Sequence, residues 1–202
     1  MGSELVGDLA PGATPLTEEE RDGLIPSVQT RAELNELEAA NIDLATAWAL
    51  GRGRAIAQRN IVSIAGLLQL HRRMFSQTWR WAGQIRLTDK NLGVSKEQIR
   101  VDLKALCDDV IYQIAHASYP PDELAVRFHH RLVSVHPFAN GNGRFGRLAA
   151  DILISRLGGK PFAWGGKSLD RAGRSRAAYI SALQHADAGE ISSLLGFARS
   201  TS

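Results

Sequence analysis

Residues 122–147 read DELAVRFHHRLVSVHPFANGNGRFGR. The first half places Leu124, Phe128, Leu132 and Val135 on one face at helical spacing, so a buried helix ends by delivering His136. Asn140-Gly141-Asn142-Gly143 then turns the chain before a further helix at about 144 to 157. The glycines let the backbone approach a ligand closely, and the first N–H groups of the new helix have no intrahelical partners. Together they form an anion cradle beside a histidine.

Arg144 and Arg147 fall in or near the first turn of that helix, where the macrodipole disfavours each cation by roughly 0.3–1 kcal/mol. Residues i and i+3 share a face, so a bound polyphosphate would explain both arginines. Surface pairing with Asp151 or other acidic residues is the plainer alternative. His136 is the histidine that the sequence sets beside the cradle, and a neutral imidazole can take a proton from an attacking hydroxyl. It is the general-base candidate, against the plainer reading of a helix-terminal histidine that caps carbonyls. His71, His129 and His130 lie on or beside apolar faces, where packing or a local hydrogen bond is expected. Tyr179 and Trp164, further along, could each stack on a base or pack in the core.

Working outward, residues 1–29 are expected to be a partly irregular N-terminal arm. Gly7, Pro11, Gly12 and Pro15 interrupt it, and a short helix can start at the capping box Thr17-Glu18-Glu19-Glu20. Residues 30–202 are expected to form one helical domain. Thr30 and Glu33 cap a helix that carries Leu34, Leu37, Asn41, Leu44 and Trp48 on one face and stops at Gly51 and Gly53. A helix from about Ser63 aligns Ile64, Leu67, Leu68, His71 and Phe75 and runs into Trp79-Arg80-Trp81-Ala82-Gly83. Residues 84–94 alternate weakly about central turn residues and are the one strand candidate, a hairpin or extended flap. Ser95 with Gln98 is expected to cap a helix through Ile99, Leu103, Leu106, Val110 and Ile114, and Pro120-Pro121 separates it from the helix that ends at His136. Further helices are expected at 174–186 and 189–199. The expected fold class is all-α with a short β-hairpin flap.

At 202 residues and 44% hydrophobic content the chain can bury a core. Its charge of +3, from 24 basic and 21 acidic residues, is too small an imbalance to signal a nucleic-acid surface. The lone Cys107, set among Leu103, Leu106 and Val110, fits a buried thiol in a reducing compartment. No targeting segment or membrane-length apolar run is found, so a cytoplasmic protein with no membrane partner is expected. Gly166-Lys167-Ser168 resembles the tail of a P-loop, but the position of its required first glycine holds Pro161. His-Glu-x-x-His and clustered cysteines, which a zinc hydrolase would want, do not occur.

His136 to Arg147 resembles the core motif of the Fic family, H-x-F-x-[D/E]-G-N-G-R-x-x-R, matched everywhere except at Asn140. Trp81-Ala82-Gly83 followed by Arg86 is similar to the stretch leading into that family's hairpin flap, and the chain as a whole looks like the subgroup called mobile mystery protein B. The resemblance implies a Fic-type helical domain that transfers AMP from ATP, with Mg2+, to a Ser, Thr or Tyr hydroxyl of an unidentified target protein. It implies His136 as general base, Phe138 packed inward, and phosphates held by Asn140, Gly141, Asn142 and Gly143 with Arg144 and Arg147, the Asn142 side chain assisting. The flap of Arg86, Leu87, Thr88, Asp89, Lys90, Asn91 and Leu92 would align a target segment by adding it as a strand. Asn140 stands where a carboxylate usually binds the metal, so it offers Mg2+ a neutral oxygen. The family's self-inhibitory pattern [S/T]-x-x-x-E-[G/N] has no match, although Glu36 and Glu38 lie on a candidate helix near the right region; a separate inhibitory partner protein is one form of restraint left open. Two other readings stand beside AMP transfer. One is transfer of the terminal phosphate, as in the death-on-curing branch, which resembles A-N-K-R where this chain has Gly141-Asn142-Gly143-Arg144. The other is a weakly active or inactive nucleotide-binding module of toxin type.

Overall fold

Two capping boxes set the start of the fold: Thr17 and Glu20, then Thr30 and Glu33, each exchange side-chain and backbone hydrogen bonds across the first turn of a helix. The computed structural model describes residues 14–28, 30–51, 61–166 and 173–201. The expected irregularity of residues 1–13, Gly53 and the Lys167-Ser168 pair lie outside the described residues. Eight helices occur among those described: α1 Glu18–Asp22, α2 Arg31–Leu50, α3 Ile64–Phe75, α4 Ile99–Ala115, α5 Pro121–Val135, α6 Asn142–Arg156, α7 Arg174–Asp187 and α8 Ile191–Arg199.

At the centre lies α6, buried on nearly every side through Phe145, Leu148, Ala149, Ile152, Leu153 and Ile154. The helix α5 packs along it, α4 and α8 pack on α5, and α2 and α3 close the opposite side. The loop from α5 to α6 therefore sits between packed layers, and its position is set from both sides.

Three expectations are corrected here. The inner stripe of α2 is Leu34, Glu38, Asn41, Ala45 and Ala49, which keeps Leu34 and Asn41 of the stripe read from sequence and replaces Leu37, Leu44 and Trp48 by their next neighbours; Leu37 and Leu44 stay 40% and 63% exposed. Small alanines let α2 approach α3, while the two polar members find buried partners: Asn41 donates to the Thr78 hydroxyl at 2.8 Å and Glu38 accepts from Trp79 Nε1 at 2.6 Å. The helix α4 begins at a backbone turn, Gln98 N–H to Ser95 carbonyl at 3.0 Å, with no side-chain cap from Ser95.

The third correction is the flap. Residues 84–94 form no hairpin, and among the described residues the one β contact is an isolated bridge between Leu24 and Trp79. The flap turns its backbone donors to the end of α5 in place of a ladder: Arg86 N–H reaches Pro137 and Val94 N–H reaches Val135. The Arg86 side chain threads the loop and donates to the carbonyls of His136, Thr88 and Val94. One buried guanidinium does what a strand pair would otherwise do.

Candidate functional site

Leaving α5 in the left-handed region, His136 has φ 53° and ψ 59° while its N–H still reaches the Leu132 carbonyl at 3.1 Å. Its own carbonyl takes Arg86 Nε at 2.7 Å. Gly93, at φ +96°, passes so close that a Cβ there would stand 2.4 Å from the Cβ of His136. Burial pushes the imidazole pKa down to about 4, opposed by a backbone hydrogen bond at Val133 and assisted by the charges of Arg86 and Lys90. The ring is neutral at neutral pH. Its Nε2 lies 2.9 Å from the Thr14 hydroxyl.

Beyond His136 the loop is braced from within. Asn142, 2% exposed, accepts Phe138 N–H at 2.9 Å and donates to the Phe138 carbonyl at 2.8 Å. Its side chain, expected to assist at the phosphates, is committed to the loop, and what residue 142 offers a ligand is its backbone N–H. Gly141 starts α6 at φ +80° against the ring of Phe75, where a Cβ would come within 2.5 Å of Cζ. The buried Phe138 stacks on His71 with centroids 3.6 Å apart. His71 itself is fully buried, and burial pushes its pKa down to about 3. Gly83 N–H donates to its Nδ1 at 2.9 Å, so Nε2 carries the proton and donates to the Asn140 carbonyl at 3.2 Å. A neutral ring thus ties the Trp79–Gly83 segment to the glycine loop.

The two arginines have separate supports. Arg144 pairs with Glu38 across 2.8 Å, and Glu38 is 2% exposed. That partner comes from α2; it is not Asp151, which lies two turns further along α6, accepts from Phe162 N–H and Trp164 Nε1 and is pushed up to about 6 by burial. Arg147 lies over the Tyr179 ring at 5.6 Å, and the Tyr179 hydroxyl is 3.0 Å from Nε2 of the buried His129. Trp164 is packed in the core, while Tyr179 sits beneath Arg147 at the wall of the cleft.

His136, Asn140, Gly141, Asn142, Gly143, Arg144, Arg147 and Tyr179 all line one cleft of about 500 Å³, with Thr14 and the flap residues Leu92 and Gly93 at its rim. The expected flap divides in two. Leu92 reaches the cleft and Leu87 is 83% exposed, whereas Arg86 is interior and Asp89 ties down Lys96 N–H at 2.9 Å. Thr88 and Lys90 hold the chain's own Glu20. Asn140 turns its Oδ1 to the N–H of Gly141 at 2.6 Å. Among the described residues no group of three or more His, Cys, Asp or Glu is gathered that could hold a metal ion, and no helix is long and apolar enough to cross a membrane.

Residues 61–154, which hold the whole of this cleft loop, match the model of the Fic/DOC family. That stretch is similar to the Fic/DOC family. The protein adenylyltransferase fic-1 of Caenorhabditis elegans is 32% identical over 135 residues, covering 64% of this chain and 25% of that protein. The chain spans about a quarter of the length of the curated relatives it matches. The solved structure of C. elegans Fic-1, residues 134–508, superimposes with a TM-score of 0.65 at 25% identity, over 88% of this chain and 50% of that one. A Bartonella quintana Fic domain solved with bound ADP gives a TM-score of 0.62 at 20% identity, covering 86% of each chain, which shows a shared fold.

Around this cleft, the roles of three residues escaped the sequence reading. Glu38 was detectable as a carboxylate in register with Leu34, Asn41 and Ala45. His71 was read as packed, and the tie it makes to Asn140 depends on a contact 69 residues away. Thr14 lies 122 residues from His136 and carries no local signal.

Proposed function

We propose that this Fic domain transfers AMP from ATP to a protein hydroxyl, with His136 as general base. The observation that supports it most is the convergence on one cleft of a neutral histidine, the open N-terminus of α6 and two arginines from its first turns. The α6 backbone N–H groups and Arg144 and Arg147 would hold the triphosphate, placing the α-phosphorus near Nε2 of His136. His136 would accept the acceptor's proton as its oxygen attacks that phosphorus, and pyrophosphate would leave toward the arginines.

The curated relatives named as protein adenylyltransferases and the relative solved with ADP support a nucleoside-phosphate ligand. Gly143, where the phosphate-transferring branch resembles lysine, favours AMP over the terminal phosphate. Asn140 can give a divalent cation one neutral oxygen, so the cation would arrive on the triphosphate and be held chiefly by it. Membership of the mobile mystery protein B subgroup remains part of this reading.

The test is incubation of the chain and a His136→Ala control with ATP labelled at the α- or the γ-phosphate, cell lysate, and Mg2+ or Mn2+. His136-dependent α-label on protein is expected. Label from the γ-phosphate alone would make it a kinase, and nucleotide binding without any label would leave a binding module.

A further inference from the structure

We propose that Thr14 of this chain is an acceptor for its own transfer reaction, a self-modification site presented to His136 in cis. The inference rests on the nucleotidyl-transfer reading above and names a substrate for it.

Thr14 Oγ1 stands 2.9 Å from His136 Nε2, inside the roughly 2.6–3.2 Å that a general base needs from the proton it abstracts. With Nε2 unprotonated, the hydroxyl donates to the ring, which is the ground state of that transfer. Thr14 also lines the cleft that holds Arg144 and Arg147.

The contact is built. Lys90 Nζ donates to the carbonyl of Pro15 at 3.0 Å and pairs with Glu20, and Thr88 donates to Glu20 at 2.8 Å. Trp81 Nε1 donates to the Glu20 carbonyl at 2.9 Å, and Arg80 N–H to that of Gly23 at 2.8 Å. The bridge of Leu24 with Trp79 fixes the far end. Residues 14–25 are thus fastened along the flap and the segment behind it, and that path carries Thr14 to the ring. Neighbouring hydroxyls are engaged elsewhere: Thr17 caps α1, Thr88 serves Glu20 and Ser134 donates to the His130 carbonyl.

In the step, the Thr14 Oγ1–H proton passes to His136 Nε2, Oγ1 bonds to the α-phosphorus of ATP, and the bond from that phosphorus to the bridging oxygen of the β-phosphate breaks. Pyrophosphate leaves and Thr14 carries AMP as a phosphodiester. No oxidant or further reactant is required.

The experiment uses the purified full chain with α-labelled ATP, Mg2+ or Mn2+, and no other protein. Label should map to Thr14 by peptide mass analysis, at a rate per chain that does not change with chain concentration. Thr14→Val should lose at least about tenfold of it and Thr14→Ser should keep it, since only the hydroxyl is needed. Thermal unfolding of both variants would show that the domain is intact. If lysate proteins take up His136-dependent α-label while Thr14 takes none, the proposal is overturned and the nucleotidyl-transfer reading survives. If no protein takes α-label although ATP binds, both fall. Self-label that rises in rate with chain concentration overturns presentation in cis.

Discussion

Glu38 Oε2 and Arg144 Nη1 are 2.8 Å apart, one 2% exposed on α2 and the other at the start of α6. The pairing explains how a cation is tolerated at a helix N-terminus, and it also keeps a phosphate-binding candidate engaged. Glu38→Gln should therefore raise ATP affinity several-fold, roughly 1 kcal/mol, by releasing Arg144 while the amide oxygen still accepts Trp79 Nε1. Glu38→Ala should add a stability loss of about 1–3 kcal/mol, because it also leaves the buried indole N–H without a partner. Calorimetric titration with ATP and thermal unfolding separate the two effects, and an unchanged ATP affinity in Glu38→Gln would show that the pair does not compete with nucleotide.

Acid should unfold this domain early. His71 and His129 are pushed down to about 3 and His136 to about 4, in each case chiefly by burial. Their unfolded forms titrate near 6.5, so below that pH the unfolded chain binds more protons than the folded one. The neutral rings' contribution is present above about 6.5 and is lost as pH falls toward 3 to 4, at up to about 1.4 kcal/mol per pH unit for each ring. Asp151, raised to about 6, works in the opposite direction and offsets part of this on acidification. The melting temperature should drop steeply between pH 6.5 and 4.5, and one that held level there would contradict the assignment of three neutral buried rings.

The same shift fixes the activity profile. A general base with a pKa of about 4 is already unprotonated at pH 6. Under conditions where the fold persists, the acid limb of α-label transfer should fall near pH 4 to 5. A limb near 6.5 would place the essential base in a more solvated state than the free site shows.

Arg86→Lys should loosen the flap. A single ammonium cannot serve the three carbonyls of His136, Thr88 and Val94 in the fork geometry of a guanidinium. Backbone amides of residues 86–94 should exchange at least about tenfold faster with deuterium, with those of α6 unaffected. Uniform protection in the variant would mean that the loop is held by its Ile85 and Val94 packing instead.

Asn140→Asp should tighten divalent-cation dependence, because a carboxylate replaces an amide while the short contact to Gly141 N–H can persist. The Mg2+ concentration for half-maximal labelling should fall by about tenfold or more. An unchanged midpoint would show that residue 140 does not reach the cation.

The helices could be read from apolar spacing and caps because their signals are local: Thr17, Thr30 and Ser63 each accept the N–H that their position in the sequence implies. The course of the α5–α6 loop was readable for the same reason, being written in adjacent residues. Long-range compensation was not. The stripe of α2 takes in Glu38 in place of Leu37 because the carboxylate finds a polar partner about forty residues away, which no periodicity records. The flap looked like a hairpin because residues 84–94 alternate weakly about turn residues, whereas Arg86 is 4% exposed and replaces the ladder. Of the cleft lining, the stretch from His136 to Arg147 was legible in adjacent residues, whereas Thr14, Arg176 and Gln184 enter from distant parts of the chain and carry no local signal.

Thr14 beside His136 also sets a kinetic threshold for every outside substrate. A tethered hydroxyl is present at an effective concentration of about millimolar, so a target protein at micromolar levels is outnumbered roughly a thousandfold for the same base. Selectivity among targets would then be governed less by how well each fits the flap than by its power to displace the arm. A weak but abundant substrate and a scarce but tight one would be separated by competition against residues 14–20, before any chemistry begins.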